Sequence, residues 1–154
     1  MPLQSIAIRM ILLAAALICA GCGSSDSPEQ QVRTVLEQME TAAEARDVGE
    51  LMEHISEDYR DSNGLGPQEA ARYVRGYFIA NQSIHLLTRV EDITFPIADE
   101  ARAKVLVGMV GREAATTNDS SDWGDLAADI YQFEITFRRE DEQWKVSFAR
   151  WLRK

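Results

Sequence analysis

The period of the hydrophobic pattern changes once along this chain, near Ser83, and that change constrains the fold more than any other feature. Between Pro28 and Ser83 apolar residues recur every three or four positions: Val32, Val35, Leu36, Met39, Ala42 and Ala43, then Leu51, Met52 and Ile55, then Ala70, Ala71, Val74, Tyr77 and Phe78. That spacing lines up one side of an α-helix in each segment. After Ser83 the period is two. Ile84, Leu86, Thr88 and Val90 alternate with other residues, as do Ala101 to Met109, Tyr131 to Phe137, and Trp144, Val146 and Phe148. Alternation gives strands with one buried and one wet face, the pattern of an antiparallel sheet.

Local signals set the boundaries. Ser27-Pro28-Glu29-Gln30 is a capping box with proline at the first helical position, and Asp47 with Glu50 repeats the cap for a short second helix that ends at Ser56-Glu57-Asp58. The turn-rich run Asp61 to Gly66 precedes Pro67, which opens the third helix. The first strand ends at Pro96 after a bulge between Val90 and Ile93, a turn lies at Asp99-Glu100, and Glu140-Asp141-Glu142 joins the last two strands. A polar segment, Glu113 to Ala128, separates the second and third strands and holds Trp123. The expected fold class is α+β, with three N-terminal helices packed on a curved, mainly antiparallel four-stranded sheet. At 154 residues, 45% of them apolar, the chain supports one core and one domain.

The first 22 residues carry an address. Arg9 is the only charge before the apolar run Met10 to Ala20, which is too short to span a bilayer but has the layout of a secretory signal. Leu17-Ile18-Cys19-Ala20-Gly21-Cys22 resembles the bacterial lipoprotein lipobox, with Cys19 where Leu is usual. The resemblance implies cleavage after Gly21 and a diacylglycerol thioether on Cys22, which acylated chains would hold on a membrane. The division expected is a signal peptide over 1–21, a lipidated tether over 22–27 and a domain over 28–154. Gly23 after the cysteine resembles outer-membrane sorting, so the expected place is the periplasmic face of a bacterial outer membrane. An ordinary signal peptide or an uncleaved anchor is the alternative.

Over residues 28–154 the order of elements is similar to the nuclear transport factor two-like superfamily, the cone-shaped roll shared with ketosteroid isomerases and polyketide cyclases. The capped first helix, Asp47 to Asp61, the helix after Pro67 and Gln143-Trp144-Lys145-Val146 carry the likeness. It implies a pocket between sheet and helices, with a general base at the position of Asp61. The partners of such a base are missing. The isomerase tyrosine on the first helix is matched by Met39, and Ala101 to Gly111 supplies no carboxylate. A base without oxyanion donors gives little rate, and an acid before Asn and Gly is commonly a turn former.

Other chemistry is bounded by composition. A formal charge of −9, which becomes −10 when Arg9 leaves with the signal, argues against nucleic acid as a partner. With no cysteine after Cys22, the domain lacks disulfides, thiolate metal clusters and a catalytic thiol. His54 and His85 are the only histidines and have no further ligand at metal spacing, and Asn118 to Asp129 puts Trp123 where a calcium loop needs glycine, so neither metal nor cofactor is implied. Tyr131, Phe133, Phe137, Trp144 and Phe148 fall on inward phases, while Tyr59, Tyr73, Tyr77, Trp123 and Trp151 are the residues expected to line a pocket. Basic residues gather on the last hairpin at Arg138, Arg139, Lys145, Arg150, Arg153 and Lys154, facing either their own carboxylates or an anionic partner. The function expected is a membrane-anchored, non-catalytic lipoprotein that binds a small apolar or amphipathic ligand or an envelope protein. The alternatives are an isomerase, dehydratase or cyclase using Asp61, and a structural subunit forming homodimers.

Overall fold

A computed structural model describes residues 26–113 and 128–154. The proposed signal, Cys22, Trp123 and the acidic loop around it lie outside the described residues.

The first helix, α1, spans Pro28–Glu44 and begins where the Ser27 hydroxyl accepts a hydrogen bond from the Gln30 amide at 3.2 Å. The second, α2, spans Val48–Glu53, capped by the Asp47 carboxylate accepting from the Glu50 amide at 3.0 Å. Strand β1 (Ile55–Asp61) follows at once, then α3 (Pro67–Ala80), β2 (Asn81–Ile97), β3 (Glu100–Glu113), β4 (Ala128–Glu140) and β5 (Gln143–Arg153). The sheet order is β1-β5-β4-β3-β2, with β1 parallel to β5 and the other pairs antiparallel.

The sheet therefore has five strands and not the four expected. The extra strand is β1, whose sequence Ile-Ser-Glu-Asp-Tyr-Arg-Asp reads as a helix end because its buried positions do not alternate. Ser56, Tyr59 and Asp61 are buried, and the pairing with β5 shifts register between Ile55 and Arg60. An edge strand made mostly of polar residues leaves almost no hydrophobic period to read. Ser56 is held there by donating to Glu140 at 2.8 Å.

Two further departures have the same kind of cause. Pro96 does not end its strand, because β2 is the other edge of the sheet and an edge strand tolerates a residue without an N–H. Phe148 does not point into the core. The register slips between Thr136 and Phe137, which face Phe148 and Val146 respectively, so β5 carries one extra residue. Val146 is buried, and Phe148 is turned to the outer face with 37% of its surface exposed. Ala149 and Trp151 take the inward phase instead. The bulge expected between Val90 and Ile93 is present as a register shift between Val90 and Asp92.

The core forms where α1 lies on the concave face of the sheet. Val32 and Leu36 pack with Ala101, Ala103, Val105, Ile135, Phe137, Trp144 and Val146. This is the narrow end of the cone. Trp144 is 2% exposed, and its indole N–H donates to Gln31 on α1 at 3.1 Å. The open end is made by the end of β1, the end of β5, the start of β4, and α3. On the last hairpin the cations meet their own acids: Arg139 pairs with Glu142 at 2.6 Å, Arg150 with Glu134 across the strands, and Arg153 with Asp129. On the outer face Leu87, Gly108 and Ile130 lie in register across three strands, and the side chains of Leu87, Ile130 and Leu152 are exposed.

Candidate functional site

The end of β1 puts two polar side chains into the open end of the cone. Tyr59 and Asp61 are two residues apart on one strand and so share a face. Each is 5% exposed. Tyr59 packs its ring within the core cluster, while its phenol O–H makes no hydrogen bond to any described residue and reaches solvent, since it is not among the buried atoms left without a partner.

Asp61 is largely committed elsewhere. Its Oδ1 accepts from the amides of Asn63 and Leu65, both at 2.8 Å, while its own amide donates to the Leu65 carbonyl and its carbonyl accepts from Gly64. Gly64 sits at φ +80°, a conformation side chains resist, which is why glycine follows Asn63 here. The carboxylate thus closes the turn that leads into α3. Among the described residues no tyrosine, histidine or arginine donates to it, and Oδ2 has no hydrogen bond. Burial, aided by the negative charge of Asp61, pushes the Tyr59 phenol up to about 12. At neutral pH Tyr59 is therefore a protonated hydrogen-bond donor.

An aromatic wall continues the site. Tyr131 and Phe133 on β4 have ring centroids 6.3 Å apart, and Phe133 meets Trp151 on β5 at 6.0 Å. Tyr77 on α3 faces this wall. Burial raises its pKa first, followed by Tyr131, Asp129 and Tyr73, so the mouth gathers three phenols and one carboxylate. Tyr73 stands mostly in solvent at 67% exposed, at the rim. Met39 packs against the core from α1 and offers no donor.

The histidines stand apart from this site and from each other. His85 is exposed on β2. His54 is half-buried at the narrow end, its pKa lowered by burial and by Lys145 against the opposing pull of Glu53 and Glu50. Among the described residues no three side chains form a metal-binding group. None of the described helices is long and apolar enough to cross a membrane. What sequence reasoning undervalued is Tyr59, whose ring is buried in the core while its hydroxyl stays without a partner among the described residues. Its signal is a lone aromatic two residues before an acid, which becomes meaningful once Ile55–Asp61 is known to be a strand.

No family model matches the chain, and no curated protein matches it. Solved structures do. A candidate scytalone dehydratase from Novosphingobium aromaticivorans aligns with a TM-score of 0.69 at 15% identity, covering 82% of this chain and 83% of that one. A ketosteroid isomerase-like protein from Erwinia carotovora atroseptica aligns at 0.63 with 14% identity, covering 80% and 94%. A hexachlorocyclohexane dehydrochlorinase of LinA type 3 from Novosphingobium barchaimii aligns at 0.63 with 14% identity, covering 82% and 86%. Further matches include cystatin-like and nuclear transport factor two-like proteins of unknown function. The fold is thus the nuclear transport factor two-like cone. At these identities the likeness extends to the fold and no further.

Proposed function

We propose that this chain is a membrane-anchored, extracytoplasmic protein whose cone binds a small amphipathic molecule with an apolar body and one oxygen acceptor. The observation that carries the reading is Tyr59, whose ring is buried in the core against which Phe133 and Trp151 pack and whose hydroxyl has no partner among the described residues. The apolar body lies along Phe133 and Trp151, and the ligand oxygen accepts from the Tyr59 phenol. Such a site, mostly apolar with a few placed polar groups, is the common form of small-ligand pockets. Residues 1–21 are the signal, 22–27 the lipidated tether with the anchor on Cys22, and 28–154 the binding domain. An envelope partner or a second copy is assigned to the convex face at Leu87 and Ile130, where exposed apolar side chains adjoin.

Native mass spectrometry of the full chain recovered from its own cell envelope tests the binding reading. A bound molecule of a few hundred daltons is expected, and a chain that is always empty overturns it. The anchor is tested separately by Cys22→Ser, which moves the protein from the membrane to the soluble fraction if the reading holds.

A specific observation also favours a second reading. Asp61 keeps Oδ2 free beside Tyr59, so a substrate with a proton alpha to a carbonyl could lose it to Asp61 while its oxygen accepts from Tyr59. Asp61→Asn then leaves binding intact and abolishes turnover of the ligand. In the binding reading the bound molecule is recovered unchanged from both proteins.

A further inference from the structure

The outer side of α3 departs from the acidic character of the chain. Arg72, Arg75, Gly76 and Ile79 fall at i, i+3, i+4 and i+7 and so form one stripe along the helix, with Tyr73 beside it. The inner side is taken up by the core, where Phe78 is buried and Ala70 packs. Along the stripe the side chains stand in solvent: Ile79 is 75% exposed and Tyr73 67%, and a Cβ added at Gly76 would touch nothing. Arg72 pairs with Glu69 at the surface, while Arg75 has neither a hydrogen bond nor an ion pair to any described residue. Glu69 is the only acid in the helix, against two arginines, in a chain whose formal charge is −9.

Arginines set beside an exposed isoleucine and an exposed tyrosine are what a helix lying in a membrane interface presents. The guanidinium groups meet lipid phosphates, and the apolar side chains meet the edge of the acyl region. Docking of this kind rests on the reading of Cys22 as the lipid anchor. Asp26, the first described residue, lies four positions after Cys22, and four residues span at most about 14 Å. The 17 residues of α1 alone run roughly 25 Å. A tether shorter than the domain confines it to the lipid surface, where even a weak contact is intramolecular and enough to orient it. The narrow end is not the part that an anionic bilayer attracts, because Asp26, Glu53 and Glu142 gather there. The helices share one side of the sheet: Val32 of α1 and Ala70 of α3 join the same core, and Arg46, just past α1, donates to the Phe78 carbonyl. The side that holds the tether therefore also holds the stripe.

We propose that α3 docks on anionic phospholipid through Arg72, Tyr73, Arg75 and Ile79, laying the anchored domain on its helical side. Tyr73 stands at the rim of the cone, so the docked domain holds its mouth at the lipid boundary.

The test places an environment-sensitive fluorophore on Gly76→Cys in the lipidated full chain, floated with vesicles whose acyl chains carry bromine as a quencher. A label on Leu87→Cys, exposed on the opposite face of the sheet, is the control. With Cys22 acylated and Cys19 gone with the signal, the introduced cysteine is the one thiol to label. On vesicles of phosphatidylglycerol and phosphatidylcholine in equal parts, the Gly76 label is expected to be quenched and the Leu87 label to stay bright. Raising salt from about 0.1 M to about 1 M, which cuts the screening length from about 10 Å to about 3 Å, is expected to relieve the quenching. On phosphatidylcholine alone both labels stay bright although the chain still floats. Arg75→Gln and Ile79→Ser, both at exposed positions, are each expected to lower the docked-to-undocked ratio about fivefold. A floating chain whose Gly76 label is unquenched, responds equally to the two lipid compositions or is matched by the Leu87 label overturns the docking and leaves the anchor standing. Variants that both dock as the parent does have the same meaning. A chain that does not float overturns docking and anchor together. None of these outcomes bears on Tyr59.

Discussion

The two ends of the cone treat the polar tip of a buried ring in opposite ways. At the narrow end the Trp144 indole N–H donates to the side-chain amide oxygen of Gln31 at 3.1 Å, while at the open end the Tyr59 ring is buried but its hydroxyl meets no described residue and reaches solvent. Both rings belong to one core. The difference separates structure from use: a satisfied donor fixes the helix on the sheet, and one left open to solvent can meet an acceptor from outside the chain.

The comparison breaks first if the narrow end is not the structural one. Trp144→Ala should cost about 3–5 kcal/mol, read by urea unfolding, because it opens a cavity against Val32 and Phe95. Trp151→Ala, half-buried at the mouth, should cost roughly 1–2 kcal/mol. Equal losses would erase the distinction.

The next effect is on pH dependence. Unfolded, the Tyr59 phenol ionises near its ordinary value of 10, and folded it holds its proton to about 12. Between those values the folded state binds the extra proton, so this contribution is intact below pH 10 and is lost as pH rises through 12. With solvent screening of a hydroxyl that reaches water, the loss is about 1 kcal/mol. Thermal unfolding from pH 9 to 12 should show this alkaline decline, and Tyr59→Phe should flatten it.

Smaller effects sharpen the contrast. Gln31→Leu strands the indole N–H and should cost about 1–2 kcal/mol. Tyr59→Phe removes a hydroxyl that has no partner, so at pH 7 its unfolding midpoint should stay within about 0.5 kcal/mol of the parent. In the β4–β5 turn Asp141 and Glu142 hold positive φ of 47° and 65°. Glu142→Gly should stabilise the fold by about 0.5–1 kcal/mol, the loss of its pair with Arg139 being small at the surface.

Much of the architecture was legible because local and global preferences agree. Ser27, Asp47 and Pro67 start helices where the capping rules place them, and the alternation in β3 and β4 matches their buried faces. What was not legible depended on partners distant in sequence. β1 takes its strand character from β5, nearly ninety residues later, and its own residues carry no two-residue period. Phe148 leaves its expected inward phase through one extra residue in β5, which no count along a single strand shows. Asp61 was readable both as a base and as a turn former, and the turn is plain in its two amide contacts. Tyr59 was readable as pocket lining, but its lack of a partner is a property of the packed structure alone. His54, which the sequence marks only as lacking metal-ligand spacing, lies half under cover beside the β4–β5 turn.

The most direct measurement is a paired one on Tyr59: native mass spectrometry of the full chain and of Tyr59→Phe, each recovered from the cell envelope, alongside their unfolding midpoints at pH 7. The account expects matching midpoints, a small oxygen-bearing molecule on the parent, and its loss from the variant. A variant that keeps the same molecule, or a parent that carries none, contradicts it.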